Sequence, residues 1–294
     1  MTLQIPATSA NLGPGFDTLG LALQLYNFVT IKPSSCYSIS IKGEGAKKPK
    51  LKVNNMFVSL FYEIYQELQG KKDPFRFEFQ NNIPFARGLG SSSAVIVGAI
   101  IGAYEMANIK ISKEALLNRA LYYETHPDNI APAVYGGFTS SVVVNGRVKT
   151  LKKELPNNLR AVVVIPDRAM STAHSRGQLP KNYSMKDVVY NLSRVGAMSA
   201  AFFSEDWEML RFIANDCMHE HRRMQKLKEL FEVRRVAMQA GVLMSTLSGS
   251  GSTMFNLCYE KESEAITEAL QKSFPLFKVL SLGFDNTGVM CIQR

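Results

Sequence analysis

Pro84-Phe85-Ala86-Arg87-Gly88-Leu89-Gly90-Ser91-Ser92-Ser93-Ala94 lies between two stretches of different periodicity. Before it, Phe75 to Phe79 alternates apolar and polar residues and reads as a strand. After it, Val95-Ile96-Val97-Gly98-Ala99-Ile100-Ile101 reads as a buried helix. Glycines and hydroxyls therefore sit where the chain turns into a helix. Glycine lets backbone N–H groups crowd a ligand, and a helix N-terminus offers unpaired N–H groups and the positive end of the helix dipole. Serines cap such groups or hydrogen-bond phosphate oxygens. The loop has the outline of a phosphate cradle. It is not a Walker A loop, because no Gly-Lys-Ser/Thr closes it. Nor is it a dinucleotide fingerprint, because Ser93 stands where the third glycine would be. Taken alone, an ordinary serine-capped loop remains an equal alternative.

The rest of the chain narrows the choice. Its 294 residues, 46% hydrophobic and 20% charged, describe a globular protein with a real core and room for two ordinary domains or one large one. No apolar run approaches the roughly 20 residues needed to span a bilayer. Met1-Thr2-Leu3-Gln4-Ile5-Pro6 lacks the basic-then-apolar order of a signal peptide. Cys36, Cys217, Cys258 and Cys291 have no metal-type spacing and read as free thiols, so the expectation is a cytoplasmic protein. The net charge is +9. Its basic clusters, such as Lys47-Lys48 and Arg222-Arg223, are scattered and not interleaved with aromatics. A solvated surface and an anionic substrate such as ATP account for them, with neither nucleic acid nor membrane as partner.

Strands are expected at Tyr26–Lys32, Tyr37–Lys42, Phe75–Phe79 and Phe138–Val144, with Asn145-Gly146 turning the last into a hairpin. Residues 2–5 are apolar and lead into a turn-rich segment, Pro6 to Gly20. A helix capped by Asn54 or Asn55 ends at Gly70, and Ser112 opens another that runs to about Tyr123. The polar segment from Lys152 to Asn158 separates a first domain, residues 1–153, from a second, 154–294. The second holds a buried strand from Arg160 to Ile165 and helices over roughly 186–203, 205–217 and 222–240. Shorter strands follow at 243–247, 253–259, 277–282 and 289–293, with a helix at 262–273. The fold class is α+β, in two layered domains.

Four loops carry the polar residues: Pro6–Gly20, Pro84–Ala94, Glu124–Asn129 and Leu247–Thr253. Singly, each has a plain reading as a turn or a cap. Together they resemble one family. Ile5-Pro6-Ala7-Thr8-Ser9-Ala10-Asn11-Leu12-Gly13-Pro14-Gly15-Phe16-Asp17-Thr18-Leu19-Gly20 resembles the first motif of the homoserine kinases. Pro84 to Ala94 resembles the second motif of the galactokinase, homoserine, mevalonate and phosphomevalonate (GHMP) kinase superfamily. Leu247-Ser248-Gly249-Ser250-Gly251-Ser252-Thr253 resembles its third, with Ser252 where proline is usual. His126-Pro127-Asp128-Asn129-Ile130-Ala131-Pro132 also matches the homoserine kinases.

The resemblance implies ATP-dependent phosphorylation of L-homoserine on the way to threonine. It further implies a ribosomal protein S5 domain 2-like first domain and a ferredoxin-like second one, in a family whose members are often homodimers. Pro84, Phe85, Ala86, Arg87, Gly88, Leu89, Gly90, Ser91, Ser92, Ser93 and Ala94 would hold ATP. Ser92 and Glu124 would hold Mg2+, a hard cation suited to oxygen ligands, with Glu114 a weaker alternative. Homoserine is a zwitterion whose carboxylate suits guanidinium and whose ammonium suits carboxylate or amide oxygens. Asn11, Asp17, His126, Asn129, Arg176 and Arg223 match the family's substrate positions, with Arg222 adjoining the last. Thr172, Asn129 and Arg176 would act closest to the reacting hydroxyl. Other superfamily kinases carry a catalytic aspartate near the position of Asn129, and asparagine takes no proton. Transfer without a dedicated base is the expectation, with Asp128 the second candidate. The rival readings are a kinase for mevalonate or a sugar, an inactive binding protein on this scaffold, and a nucleic-acid binder.

Overall fold

The computed structural model describes residues 1–170 and 175–293. Seven strands form the first sheet: β1 (Thr2–Ala10), β2 (Leu19–Pro33), β3 (Ser38–Gly43), β4 (Phe75–Asn81), β5 (Phe138–Val144), β6 (Arg147–Lys153) and, from the far end of the chain, β11 (Met290–Gln293). The path runs β11-β1-β2-β4-β3, with β5 joined to the start of β2 and β6 joined to β5. Only the β3/β4 pair is parallel among these described strands. Asn145-Gly146 makes the β5–β6 hairpin as its sequence requires.

β1 runs straight through the turn-rich beginning of the first motif as far as Ala10. The residue pattern foretold a turn from Pro6 onward. Proline has no N–H for the ladder, and the chain answers with a register shift between Pro6 and Ala7 instead of a turn. The loop proper is thereby shortened to residues 11–18.

Helices α1 (Lys50–Val53), α2 (Met56–Gln69), α3 (Ser91–Met106), α4 (Lys113–Leu121) and α5 (Pro127–Tyr135) cover this sheet. Asn55 caps α2 by accepting from the Val58 N–H at 3.2 Å, and Gly70 ends it. Phe57 and Phe61 on α2 meet Phe77 of β4 edge-on, so the alternating phenylalanines of that strand are the sheet's inner face. α3 is apolar nearly all round because it is buried nearly all round, with Ile96, Val97, Ala99 and Ile100 at 1% exposure or less.

The second sheet comprises β7 (Leu159–Ile165), β8 (Met244–Leu247), β9 (Met254–Tyr259) and β10 (Lys278–Leu282), antiparallel in the order β10-β7-β9-β8. With helices between β7 and β8 and again between β9 and β10, this is the ferredoxin-like arrangement. Ala161, Val163 and Ile165 pack into the larger core shared with the first sheet. Val162 and Val164 pack with the helices on the other side. Burial on both faces explains why β7 is a continuous apolar run.

Five helices complete this half: α6 (Met185–Ser204), α7 (Leu210–Ile213), α8 (Glu220–Met224), α9 (Glu229–Gln239) and α10 (Ser263–Ser273). The expected helix over 205–217 is reduced to the single turn of α7, because the Asp206 carboxylate takes the Met209 N–H and Trp207, Leu210 and Ile213 are the buried positions. The expected helix over 222–240 is split into α8 and α9. Asp216 starts α8 early by accepting from the N–H groups of His219 and Glu220 at 2.7 and 2.8 Å. Phe202 of α6 stacks on Phe138 of β5, centroids 4.1 Å apart, and both rings are fully buried. Each such ring contributes about 2–3 kcal/mol of transfer free energy to the joint between the two sheets. Among the described residues, no helix is long and apolar enough to cross a membrane.

Candidate active site

One cleft of about 400 Å³ receives all four polar loops. Its floor is the first turn of α3. Gly90, at φ +65°, precedes that helix, and no side chain caps it. The Ala94 N–H reaches back to the Gly90 carbonyl at 2.9 Å, which leaves the N–H groups of Ser91, Ser92 and Ser93 ahead of the intrahelical ladder. A Cβ on Gly90 would stand 1.9 Å from Thr8 Oγ1, and one on Gly88 would stand 2.1 Å from the Ser248 carbonyl oxygen. Both positions need glycine for space as well as for conformation.

The third motif acts as a clasp on the second. Ser248 Oγ donates to the Gly88 carbonyl at 2.6 Å, and the Thr253 N–H donates to the Arg87 carbonyl at 3.1 Å. The Arg87 side chain turns away to Pro166, Phe85 and Asp167, while Leu89 and Ala94 are buried beneath the loop. Ser252, the departure from the usual proline, donates to the Arg168 carbonyl at 2.6 Å. Beyond the loop the cleft becomes apolar, walled by Ile41, Leu51, Phe57, Phe79 and Val95. A flat nucleobase suits such a wall. These residues are far apart in sequence, and nothing in their spacing singled them out.

The other half of the cleft is charged. Asn11 and Asp17 both take left-handed backbone conformations, φ +70° and +57°. Asn11 Oδ1 accepts from the Asp17 N–H at 3.0 Å, and its Nδ2 donates to the Gly249 carbonyl at 3.0 Å. The Asn11 amide thus shapes the loop that presents Asp17. Arg176 Nη2 donates to Asp17 Oδ1 at 2.6 Å, and His126 Nδ1 lies 3.6 Å from Asp17 Oδ2. Arg223 reaches the same place from α8 and is 2% exposed. The guanidinium carbons of Arg176 and Arg223 sit 5.1 and 5.2 Å from the centre of one ring, Phe16.

Asn129 joins the two halves. Its Oδ1 accepts from Thr8 Oγ1 at 2.7 Å, beside the start of α3. Asp128 next to it is 6% exposed. Burial pushes the Asp128 carboxyl up to about 7, with Asp17 and Glu124 adding to the shift and Arg176 opposing it. Glu124 is likewise raised by burial. Its carboxylate takes no hydrogen bond from a described residue and faces the cleft that Ser92 also lines. Burial holds the His126 imidazole below its usual range.

Residues 55–137 match the family described as GHMP kinases N terminal domain, and 198–276 match GHMP kinases C terminal. The homoserine kinase of Nitratiruptor sp. is 60% identical over 290 residues, 99% of either chain. The chain belongs to the homoserine kinases. The homoserine kinase of Campylobacter concisus is 57% identical over the whole of both chains. The crystal structure of homoserine kinase from Cytophaga hutchinsonii superposes with a TM-score of 0.86 at 27% identity, over 99% of this chain and 96% of that one.

The structure gathers Asn11, Asp17, Ser92, Glu124, His126, Asn129, Arg176 and Arg223 into one cleft. Thr172 lies outside the described residues. Glu114 pairs with Lys149 at 3.0 Å and does not line the cleft. Phe16, hidden inside the first motif, was not singled out, though its ring lies against both guanidiniums; Asp128, expected as a cap or as the second candidate for a base, is a buried carboxyl lining the cleft.

Proposed function

We propose that the chain catalyses ATP-dependent phosphorylation of the side-chain hydroxyl of L-homoserine to O-phospho-L-homoserine, a step on the way to threonine. The observation that carries this is the gathering of two guanidiniums, Arg176 and Arg223, and two carboxyl groups, Asp17 and Asp128, in one cleft beside an uncapped helix start. That set complements a zwitterion held next to a polyphosphate. An uncharged sugar would leave the buried Arg223 and Asp128 without an ionic partner among the described residues, at a cost of several kcal/mol.

The acceptor carboxylate lies against Arg223 and Arg176. Its ammonium lies between Asp17 and Asp128, and the Asn129 amide, fixed from behind by Thr8, turns the hydroxyl toward the phosphates. The N–H groups of Ser91, Ser92 and Ser93 receive phosphate oxygens, and the apolar wall excludes water around the base. Ser92 and the Glu124 carboxylate, which has no hydrogen-bond partner among the described residues, fit Mg2+, since both offer oxygen to a hard cation. When bound, that ion neutralises charge on the nucleotide phosphates. Phosphoryl transfer through a loose transition state rests on positioning and charge, so Asn129 need not take the proton.

An ADP-release assay with L-homoserine, L-serine, L-threonine, mevalonate and galactose tests this. Homoserine should be preferred, and turnover of mevalonate or galactose without homoserine would reject it. Replacing Glu124 with Gln should raise the half-saturating Mg2+ concentration about ten-fold, the worth of one hydrogen-bonded charge. The same reading takes 1–153 as the nucleotide-binding unit and 154–294 as its partner, with β11 lent to the first sheet. A cytoplasmic enzyme and a homodimer complete it, and sedimentation tests the assembly.

A further inference from the structure

Arg176 and Arg223 are held in opposite ways. Arg176 is tied to a carboxylate, Asp17. Arg223, far more deeply buried, touches no carboxylate among the described residues. Its Nη1 donates to His219 Nδ1 at 3.1 Å and to the Gly249 carbonyl at 3.0 Å, and its Nε has no partner there. His219 is 1% exposed, and its Nε2 lies 2.8 Å from the Gly13 carbonyl.

Both partners have fixed roles. A guanidinium only donates and a carbonyl only accepts. His219 Nδ1 is therefore an acceptor and Nε2 carries the proton, which makes the ring neutral. Burial and Arg223 favour that state, against Asp216 at 3.8 Å and Glu220. A carboxylate at this position would satisfy the same N–H but cancel the charge of Arg223. A neutral imidazole orients the guanidinium and leaves its charge for the substrate. Through Gly13 the same ring ties that orientation to the loop presenting Asp17. Phe16 packs against it, centroids 5.0 Å apart.

We propose that His219, which itself touches no substrate, is the positioning residue that aims Arg223 at the acceptor carboxylate, as a neutral acceptor on Nδ1 and a tether to the first-motif loop on Nε2. This rests on the reading of Arg223 as a homoserine ligand.

Two variants separate the two nitrogens. His219→Gln keeps a donor near Gly13 but offers Arg223 no acceptor, whereas His219→Asn keeps an acceptor near Nδ1 and gives up the tether. The homoserine KM should rise about ten-fold or more in His219→Gln, the loss of one hydrogen bond to a charged group, with the ATP KM within about two-fold. In His219→Asn it should stay within about three-fold of the parent, even where Tm falls further than in the Gln variant. Nitrogen-15 spectra of the parent should show the Nε2–H tautomer. An unmoved homoserine KM in His219→Gln, an Nδ1–H tautomer, or both KM values rising together in step with Tm would overturn the positioning role alone. A parent enzyme that turns over no homoserine would overturn the function and this role with it.

Discussion

The two halves of the cleft are built from different materials. The nucleotide half is backbone: an uncapped helix start, glycines pressed against Thr8 and Ser248, and an apolar wall. The acceptor half is side chains lining one cleft: Asp17 bonded to Arg176, Arg223 held by His219, and the buried Asp128. Backbone N–H groups recognise any phosphate, so the first half is suited to a superfamily that shares one donor. Charged side chains recognise one pattern of charges, so on the function proposed above the second half sets the acceptor. Damage to the first should abolish turnover whatever the acceptor, and damage to the second should fall on homoserine alone.

The largest effect is expected at the seam. Gly90→Ala puts a methyl group 1.9 Å from Thr8 Oγ1 and strains a left-handed residue. Displacing the phosphates by an ångström should lower kcat by about a hundred-fold or more, since misplacement on that scale costs that much. Circular dichroism should show the fold retained. A Gly90→Ala enzyme with kcat near the parent's would mean that the phosphates are held elsewhere. Arg223→Met comes next. It removes a buried guanidinium at similar bulk, and homoserine kcat/KM should fall about 30- to 150-fold, equivalent to ~2–3 kcal/mol, while the ATP KM holds. Equal losses for both substrates would erase the division between the halves.

How much of this was legible beforehand follows the same division. The helix start was readable because its residues are contiguous, from Gly88 to Ser93, and follow a strand of alternating phenylalanines. The charged half was readable only through the resemblance, because Asp17, Asn129, Arg176 and Arg223 lie on separate segments of the chain that no local periodicity joins. The apolar wall was not readable at all. Phe57 and Phe79 have the spacing of ordinary core residues, and they are core residues that also line the cleft. The start of α8 ahead of residue 222 was missed for a related reason: Asp216 opens that helix through side-chain contacts that helix periodicity does not encode.

A third effect, about ten-fold, should appear in the pH profile. Asp128 titrates at about 7 in the folded protein, against an ordinary aspartate near 4. The folded state therefore binds its proton more tightly than the unfolded one. On its own account it makes the protein lose stability as pH rises from about 4 through 7, and none below or above that window. A bound ammonium favours the ionised form, so homoserine should bind more weakly as pH falls below about 7. KM should rise about ten-fold between pH 8 and 6, and calorimetry at about pH 6 should detect proton release on binding. The ATP KM should not share this slope. In Asp128→Asn the slope should vanish; if it persists there, another group carries the titration.

The smallest effect tests whether the acceptor half is merely a sum of charges. Phe16 carries no charge, yet its ring lies 5.1 Å from one guanidinium carbon, 5.2 Å from the other, and next to the ring of His219. Arg176 and Arg223 repel each other, and the aromatic ring that both approach offsets part of that repulsion. Phe16→Leu keeps the apolar bulk and removes the ring. At about 0.5–1 kcal/mol for the loss of such a contact, the homoserine KM should rise roughly two- to five-fold while kcat and the ATP KM hold. A change of that size confined to homoserine would show that spacing between the arginines is itself part of recognition. No change would reduce Phe16 to filler, and the specificity of this half would rest on the four charges alone.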